Sequence, residues 1–366
     1  MMISSRTTTA GIDLLLAGPS SFPSKLPSTP NSRRRADKGK TIRKPWVDGP
    51  WPLIETPSKT QPISHSALQI ANELAHTHNA MLRGLNVIYL QAPFVRLPAD
   101  IADLLFLAQA WSSWVLDHHE MKESAMMPEF EAVLGLEPGA LSASSLRRRN
   151  DGANEDEDDS ESNGKRKEEE DLPTLLQHVR DYAASTLPQP TSYSPSTLQA
   201  LLSSLASALV PHLHGQIPLL THMRELCNAP GPSSTTPFST STPSSSSSST
   251  PSAASSSHSL SKTAAAAAKR SADRANALTQ IHGRAEAALG AAADRFVVPP
   301  MLVRLRHVAY AGSGDAAGWP RLSVPALHAV ADRLSPRHAG AWRFLPCDVW
   351  GRRRELGFLG EGAGEN

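Results

Sequence analysis

The residues with the clearest chemical potential lie in WVLDHHEMKES, residues 114–124. His119 and Glu123 are four residues apart, and side chains at that spacing share one face of a helix. An imidazole and a carboxylate aimed at one point are suitable ligands for iron. Four residues after His118, by contrast, comes Lys122, whose ammonium group offers no lone pair. The spacing therefore predicts that His119 and Glu123 point into the core and that His118 takes no part in the site.

Two more histidines are predicted on apolar helix faces. His78 follows Leu74 at helical spacing, and His212 continues the stripe that contains Leu209. A single inward histidine is more often a hydrogen-bonded core residue than a ligand, but three on three different helices match what an iron site inside a helix bundle requires. Gln216, four residues after His212, could add a weak carbonyl oxygen. The absence of paired cysteines disfavours a structural zinc site.

Helices must position these side chains, and apolar residues recur at the three-four spacing of helix faces along much of the chain. Four bundle helices are predicted, over residues 64–89, 98–127, from 171 onward and 196–223. We expect Asp171 near the start of the third, with Pro173 in its first turn, where proline is tolerated. Pro211 and Pro218 are expected to kink or shorten the fourth.

Composition divides the chain into ordered and low-complexity parts, since serine runs and dense acidic stretches cannot bury enough apolar surface to fold. The predicted parts are a disordered leader (1–44), a four-helix bundle (45–227) with an acidic disordered insert (about 148–170), a Ser/Pro-rich linker (228–261) and a C-terminal helix with an aromatic tail (262–366). Trp342, Phe344 and Trp350 are too apolar for a free tail. We therefore expect the C-terminal part to pack back on the bundle.

The bulk composition disfavours several classes of partner and location. The 36 basic and 35 acidic residues give a net charge of +1, so neither nucleic acid nor an anionic membrane is expected as a partner. Cys227 and Cys347 cannot form a disulfide framework, which fits a reducing compartment. No apolar run approaches the roughly 20 residues that span a bilayer. A cytoplasmic location is expected, with a mitochondrial transit peptide in the basic leader as the alternative.

Four blocks of the sequence resemble a known family. The blocks HNAMLRGLNVIYLQAP, WVLDHHEMKESAMMPEFE, LVPHLHGQIPLL and RHAGAWRFLPCDVWGR occur in the order of hemerythrin-like (HHE cation-binding) domain proteins of the fungal type. The resemblance covers most of residues 45–227 and the C-terminal region. It implies an all-α fold, an up-and-down four-helix bundle, around a non-haem di-iron centre held by histidines and carboxylates.

The resemblance also implies a set of metal ligands, which here has two gaps. The matching ligands are His78, His119, Glu123 and His212. The second glutamate is replaced by Gln216, and the third-helix histidine is replaced by Pro173. His178 is a candidate to replace the missing histidine, although it lies five residues from the matching position. Two divalent ions facing one carboxylate would leave charge uncompensated in a low-dielectric interior, which favours a single ion.

The function predicted from the sequence is iron binding in oxygen, redox or iron handling. One or two non-haem iron ions would be bound, with dioxygen or another small molecule as the ligand of the metal. No phosphate-binding loop or nucleophile motif is recognisable, so an ordinary hydrolase or nucleotide enzyme is not expected. The alternative is a degenerate, metal-free bundle that acts as a structural or protein-interaction scaffold. Pro173, Gln216 and the long low-complexity insertions favour that alternative.

Overall fold

The computed structural model of the protein describes residues 47–142, 170–229, 256–306, 319–320 and 322–359, and for residues 256–263 the backbone alone. The predicted leader lies outside these ranges, as do the acidic insert up to residue 169 and residues 230–255 of the predicted linker. Within these ranges the regular elements are helices. An isolated β-bridge joins Cys347 and Arg353. The all-α prediction is confirmed.

Nine α-helices can be assigned in the described ranges. They are α1 (Pro57–Thr60), α2 (Ser66–Gln91), α3 (Pro98–Met121), α4 (Met127–Leu134), α5 (Leu172–Thr186), α6 (Pro195–Asn228), α7 (Ser256–Ala292), α8 (Val298–Leu305) and α9 (Val324–Ala329). The most extensive packing joins α2 to α6 and α3 to α5, and α5 also packs on α6. These four helices form a bundle. The long helix α7 lies against α2, α4 and α6 and adds a fifth element to it.

Residues 51–58, which we call the strap, precede α2 and are held to it by three asparagines at seven-residue intervals. Asn79 forms two hydrogen bonds with Ile54, from the Ile54 N–H at 2.7 Å and to its carbonyl at 2.8 Å. Asn86 does the same with Trp51, at 3.1 and 2.8 Å. At the other end, Asn72 accepts from the Ser58 N–H at 3.0 Å. Seven residues are about two helical turns, so the three amides lie on one face of α2 and fix the strap along it.

Helices α2 and α3 approach each other closely at a glycine. Trp111 on α3 is fully buried, and its indole N–H donates to the carbonyl of Met81 at 3.1 Å. The indole ring lies directly over Gly84, in the space that a Cβ atom at that position would occupy. The absence of a side chain at Gly84 therefore sets the separation between the two helices.

The third and fourth bundle helices begin where the sequence predicts. Asp171 caps α5 by accepting from the N–H of Thr174 at 3.0 Å, with Pro173 in the first turn. The loop between α5 and α6 is closed by Tyr182, whose hydroxyl donates to the carbonyl of Ser194 and accepts from its N–H, both at 2.9 Å. Caps of this kind satisfy backbone groups that a helix terminus leaves without partners.

Helix α6 differs from the prediction in its length. It continues through both Pro211 and Pro218 and ends only at Asn228, so the expected shortening at these prolines was wrong. Each proline removes one backbone donor from a helix of 34 residues. The helix packs against α2, α5 and α7, and this burial offsets the two lost hydrogen bonds.

The C-terminal region packs on the bundle. Trp342 and Phe344 are buried in the main core. Gln91, at the end of α2, donates to the carbonyl of Phe344 at 2.9 Å and accepts from the N–H of Phe358 at 3.3 Å. The rings of Phe344 and Phe358 stack with their centroids 4.2 Å apart. In the part of the chain that the structure describes, no helix has both the length and the apolar character needed to cross a membrane.

Candidate metal centre

Two candidate ligands, His119 and Glu123, lie at the C-terminal end of α3, where the helix continues into a wider turn. Residues Lys122–Met126 form a π-helical turn, in which the N–H of Met127 donates to the carbonyl of Lys122, five residues back. His119 lies on the last turn of α3, and Glu123 is the second residue of the π-helical turn. Such turns are rare and occur often at functional sites, because the extra residue redirects the side chains that follow it.

His119, Glu123 and His212 come together as a possible metal-binding group. One ligand atom from each lies within 4.8 Å of the other two, and all three side chains are partly exposed. The two imidazole rings are 5.2 Å apart between centroids and inclined at 71°. Nitrogen and oxygen ligands at about 2.0–2.2 Å from one ion lie roughly 3.0–3.5 Å from each other, so a small inward movement would complete the group.

The surroundings of His119 keep its imidazole in the neutral form that binds metals. Burial, assisted by the positive charge of Lys122, lowers the pKa of His119 to about 4, and the carboxylate of Asp171 acts in the opposite direction. The Nδ1 atom of His119 is buried and has no hydrogen-bond partner among the described residues. A neutral imidazole nitrogen without a hydrogen-bond partner is available to bind a metal ion.

His78, a predicted ligand, lies next to Lys122 rather than in the three-residue group. Its Nδ1 atom is 3.1 Å from the carbonyl oxygen of Leu213, and its Nε2 atom is 3.4 Å from Nζ of Lys122. Because a carbonyl oxygen can only accept, Nδ1 carries the proton and Nε2 presents a lone pair. Burial, followed by the charge of Lys122, holds the pKa of His78 well below its usual value.

Gln216 connects these two parts of the centre. Its carbonyl oxygen accepts a short hydrogen bond from the ammonium group of Lys122, and its amide nitrogen is 3.5 Å from Oε1 of Glu123. Gln216 is fully buried, so both ends of its amide are used inside the bundle. The amide was predicted as a weak metal ligand. In the structure it instead links the buried lysine to the candidate metal-binding carboxylate.

Sequence reasoning missed the importance of His118 and Lys122. Both are only 1 % exposed, deeper than His119, and the ring of His118 meets that of His78 edge-on at 6.0 Å. As predicted, His118 is not among the three residues whose ligand atoms converge, but its depth in the core was not predicted. The apolar stripe gave a usable indication, since Lys122 follows Val115 by seven residues and His118 by four, all on one helical face.

The remaining histidines occupy different environments. His178, the candidate replacement ligand, is partly exposed and lies 3.5 Å from the carboxylate of Glu170. His282 is buried, 3.8 Å from Glu73, because α7 packs on the bundle. Helical spacing within α7 could not predict the burial of His282, because that burial depends on how α7 packs against the bundle.

Comparisons with known proteins give one distant relative. No protein-family model matches the chain, and no solved structure matches it. Over 187 residues the chain is 29% identical to the dimeric xanthone biosynthesis cluster protein R11 of Cryptosporiopsis sp. (strain 8999). The match covers 50% of this chain and 62% of the relative. The chain is therefore a helical-bundle protein, distantly similar to a biosynthesis-cluster protein, with a candidate His/Glu metal-binding group.

Proposed function

We propose that this protein binds one iron ion through His119, Glu123 and His212 and serves oxygen, redox or iron handling rather than catalytic turnover. The observation that carries the proposal is the convergence of these three side chains from α3, the π-helical turn and α6. Two histidines and one carboxylate with remaining open positions are a ligand set typical of non-haem iron(II). The partial exposure of all three leaves room for a small ligand such as dioxygen.

The chain's own residues prepare this group in two ways. The low pKa of His119 means that no proton must be displaced from it at neutral pH. The amide of Gln216 lies within 3.5 Å of Oε1 of Glu123 and can orient that carboxylate. An iron ion bound here would supply one-electron chemistry and a place for dioxygen. The single carboxylate neutralises half of the charge of one divalent ion, which matches one ion better than two.

Two likenesses support the proposal. The blocks around His119 and His212 resemble those of hemerythrin-like proteins, in which histidines and carboxylates of a helix bundle hold iron. The curated relative is named for a dimeric xanthone biosynthesis cluster. We accordingly propose that the oxygen or redox chemistry of this protein serves a biosynthetic pathway.

The test is anaerobic reconstitution with ferrous iron, followed by measurement of bound metal by mass spectrometry. We expect one ion per chain in the wild-type protein and far less in Glu123→Gln, which keeps the shape of the side chain but removes its charge. His178→Ala is the matched control, because it removes a partly exposed histidine outside the group. Binding well below one equivalent in the wild type, or equal binding by Glu123→Gln, would refute the proposal.

A metal-free scaffold is the second candidate, favoured by the cation that the bundle already contains. Lys122 places a buried ammonium group at the centre, hydrogen-bonded to Gln216 where a second carboxylate was expected. The scaffold predicts the same melting temperature with and without a chelator. A metal bound only to the native state must raise that temperature, so a clear loss on chelation would exclude the scaffold.

A further inference from the structure

A second group of ligand-type atoms surrounds the ammonium group of Lys122. Nζ is hydrogen-bonded to Oε1 of Gln216 and lies 3.4 Å from Nε2 of His78. The Leu213 carbonyl holds the proton of His78 on Nδ1, so that the lone pair on Nε2 faces Nζ. An imidazole lone pair and an amide oxygen are both acceptors of the kind that coordinate divalent metals.

His118 adds a second imidazole to this neighbourhood. Its ring lies 6.0 Å from that of His78, and both of its nitrogens are buried without a hydrogen-bond partner among the described residues. A buried polar atom left without a partner costs free energy and calls for an explanation. His118 is thus a third side chain of metal-binding type, beside His78 and Gln216.

The occupant of that site belongs to the chain itself. Lys122 is among the largest fully buried side chains, and burial lowers the pKa of its ammonium group to about 8, while the negative charges of Glu123 and of Glu286 on α7 act in the opposite direction. Burying a charged amine is unfavourable unless acceptors and opposite charges surround it. The ammonium group of Lys122 therefore contacts two acceptors, on Gln216 and His78, that a bound metal ion would otherwise use.

We propose that Lys122 is a built-in cation that occupies a second divalent-metal site, formed by His78, His118 and Gln216, and thereby restricts the bundle to one metal ion. The restriction to one ion rests on the proposed function, whereas the existence of a second site occupied by Lys122 does not. Through Gln216 the lysine also sets the amide that faces Glu123. Lys122 is thus a positioning residue for the first site as well as the occupant of the second.

The experiment removes the cation and counts metal ions. Full-length wild type, Lys122→Ala and Lys122→Met are titrated anaerobically with Co²⁺, and the bound ions and the visible absorption of tetrahedral or five-coordinate cobalt are measured. We expect Lys122→Ala to bind one ion more than the wild type. Lys122→Met, which fills the same volume without a charge, should gain none. Adding His78→Ala to Lys122→Ala should abolish the gain.

A second variant guards against a failure of Lys122→Ala to fold, which circular dichroism would reveal. Lys122→Glu supplies a carboxylate in place of the ammonium group, and added Co²⁺ should raise its melting temperature more than that of the wild type. The proposal is overturned if Lys122→Ala gains no ion and Lys122→Glu gains no extra stabilisation from Co²⁺. It is also overturned if the gain of an ion in Lys122→Ala survives the loss of His78. A wild type that binds no ion beside a Lys122→Ala that binds one would refute only the proposed function.

Discussion

Replacing Gly84 with alanine tests the close approach of α2 and α3. The added Cβ atom would overlap Cδ1 and Nε1 of Trp111, well inside the roughly 3.5–4.0 Å of an ordinary carbon contact. The fully buried ring would have to move by about 1 Å. That movement would also weaken its hydrogen bond to the carbonyl of Met81. The methyl group therefore acts on packing and on a buried polar contact together.

The expected magnitude follows from opposing contributions. Alanine is favoured over glycine inside a helix by about 1 kcal/mol. Overpacking a closed core costs typically about 1–3 kcal/mol, and the weakened hydrogen bond adds about 0.5–1.5 kcal/mol. We therefore expect Gly84→Ala to lower the free energy of unfolding by roughly 1–3 kcal/mol after the helix propensity is counted. The separation of α3 from its neighbours should change as well, with weaker metal binding by His119.

The assay is urea denaturation of the metal-free protein, with Gly283→Ala as the matched control. Gly283 lies inside α7, and a Cβ atom there would meet nothing within 4 Å. The same substitution should therefore stabilise the protein at that position, by up to about 1 kcal/mol. Opposite signs for the two variants are the expected result. A Gly84→Ala protein as stable as the wild type would show that the indole is not held against the glycine.

Three further outcomes can be checked in the same protein. Asn79→Ala removes two buried hydrogen bonds to Ile54 and should lower the free energy of unfolding by roughly 2–4 kcal/mol. Asn72→Ala removes one hydrogen bond and should lower it by less. Equal losses of stability for the two variants in urea denaturation would contradict this expectation. Burial raises the pKa of the Cys347 thiol to about 12, so at pH 8 it stays protonated and should resist iodoacetamide until denaturant is added, as mass spectrometry would show. Arg343→Ala breaks two exposed ion pairs and should change stability by less than about 1 kcal/mol; a larger loss would point to packing by its aliphatic part.

The helices were predictable because each carries its own local evidence. The three-four spacing of apolar residues gave α2 and α3 to within a few residues, and Asp171 with Pro173 gave the start of α5. The two prolines of α6 suggested a shorter helix, and tertiary packing overrode that expectation. Local propensity therefore located the elements, while their lengths depended on contacts between helices.

The candidate metal centre was predictable only in part, for two physical reasons. A face of a regular helix advances by a fixed angle per residue, and the π-helical turn that starts at Lys122 breaks this regularity at the site itself. A lysine is almost never fully buried, so the residue type of Lys122 argued against the core position that its spacing from Val115 indicated. His119, Glu123 and His212 nevertheless come together, because spacing and helix packing agree for them.

The asparagine contacts along α2 have a consequence for how the strap can change in evolution. Asn72, Asn79 and Asn86 bind backbone groups of the strap and so do not discriminate between the side chains it carries. Substitutions between Trp51 and Ser58 leave the hydrogen bonds available, whereas one inserted or deleted residue shifts every later backbone group away from its amide. In related sequences the strap should therefore be constant in length, with variation at exposed positions such as Pro52 and Glu55.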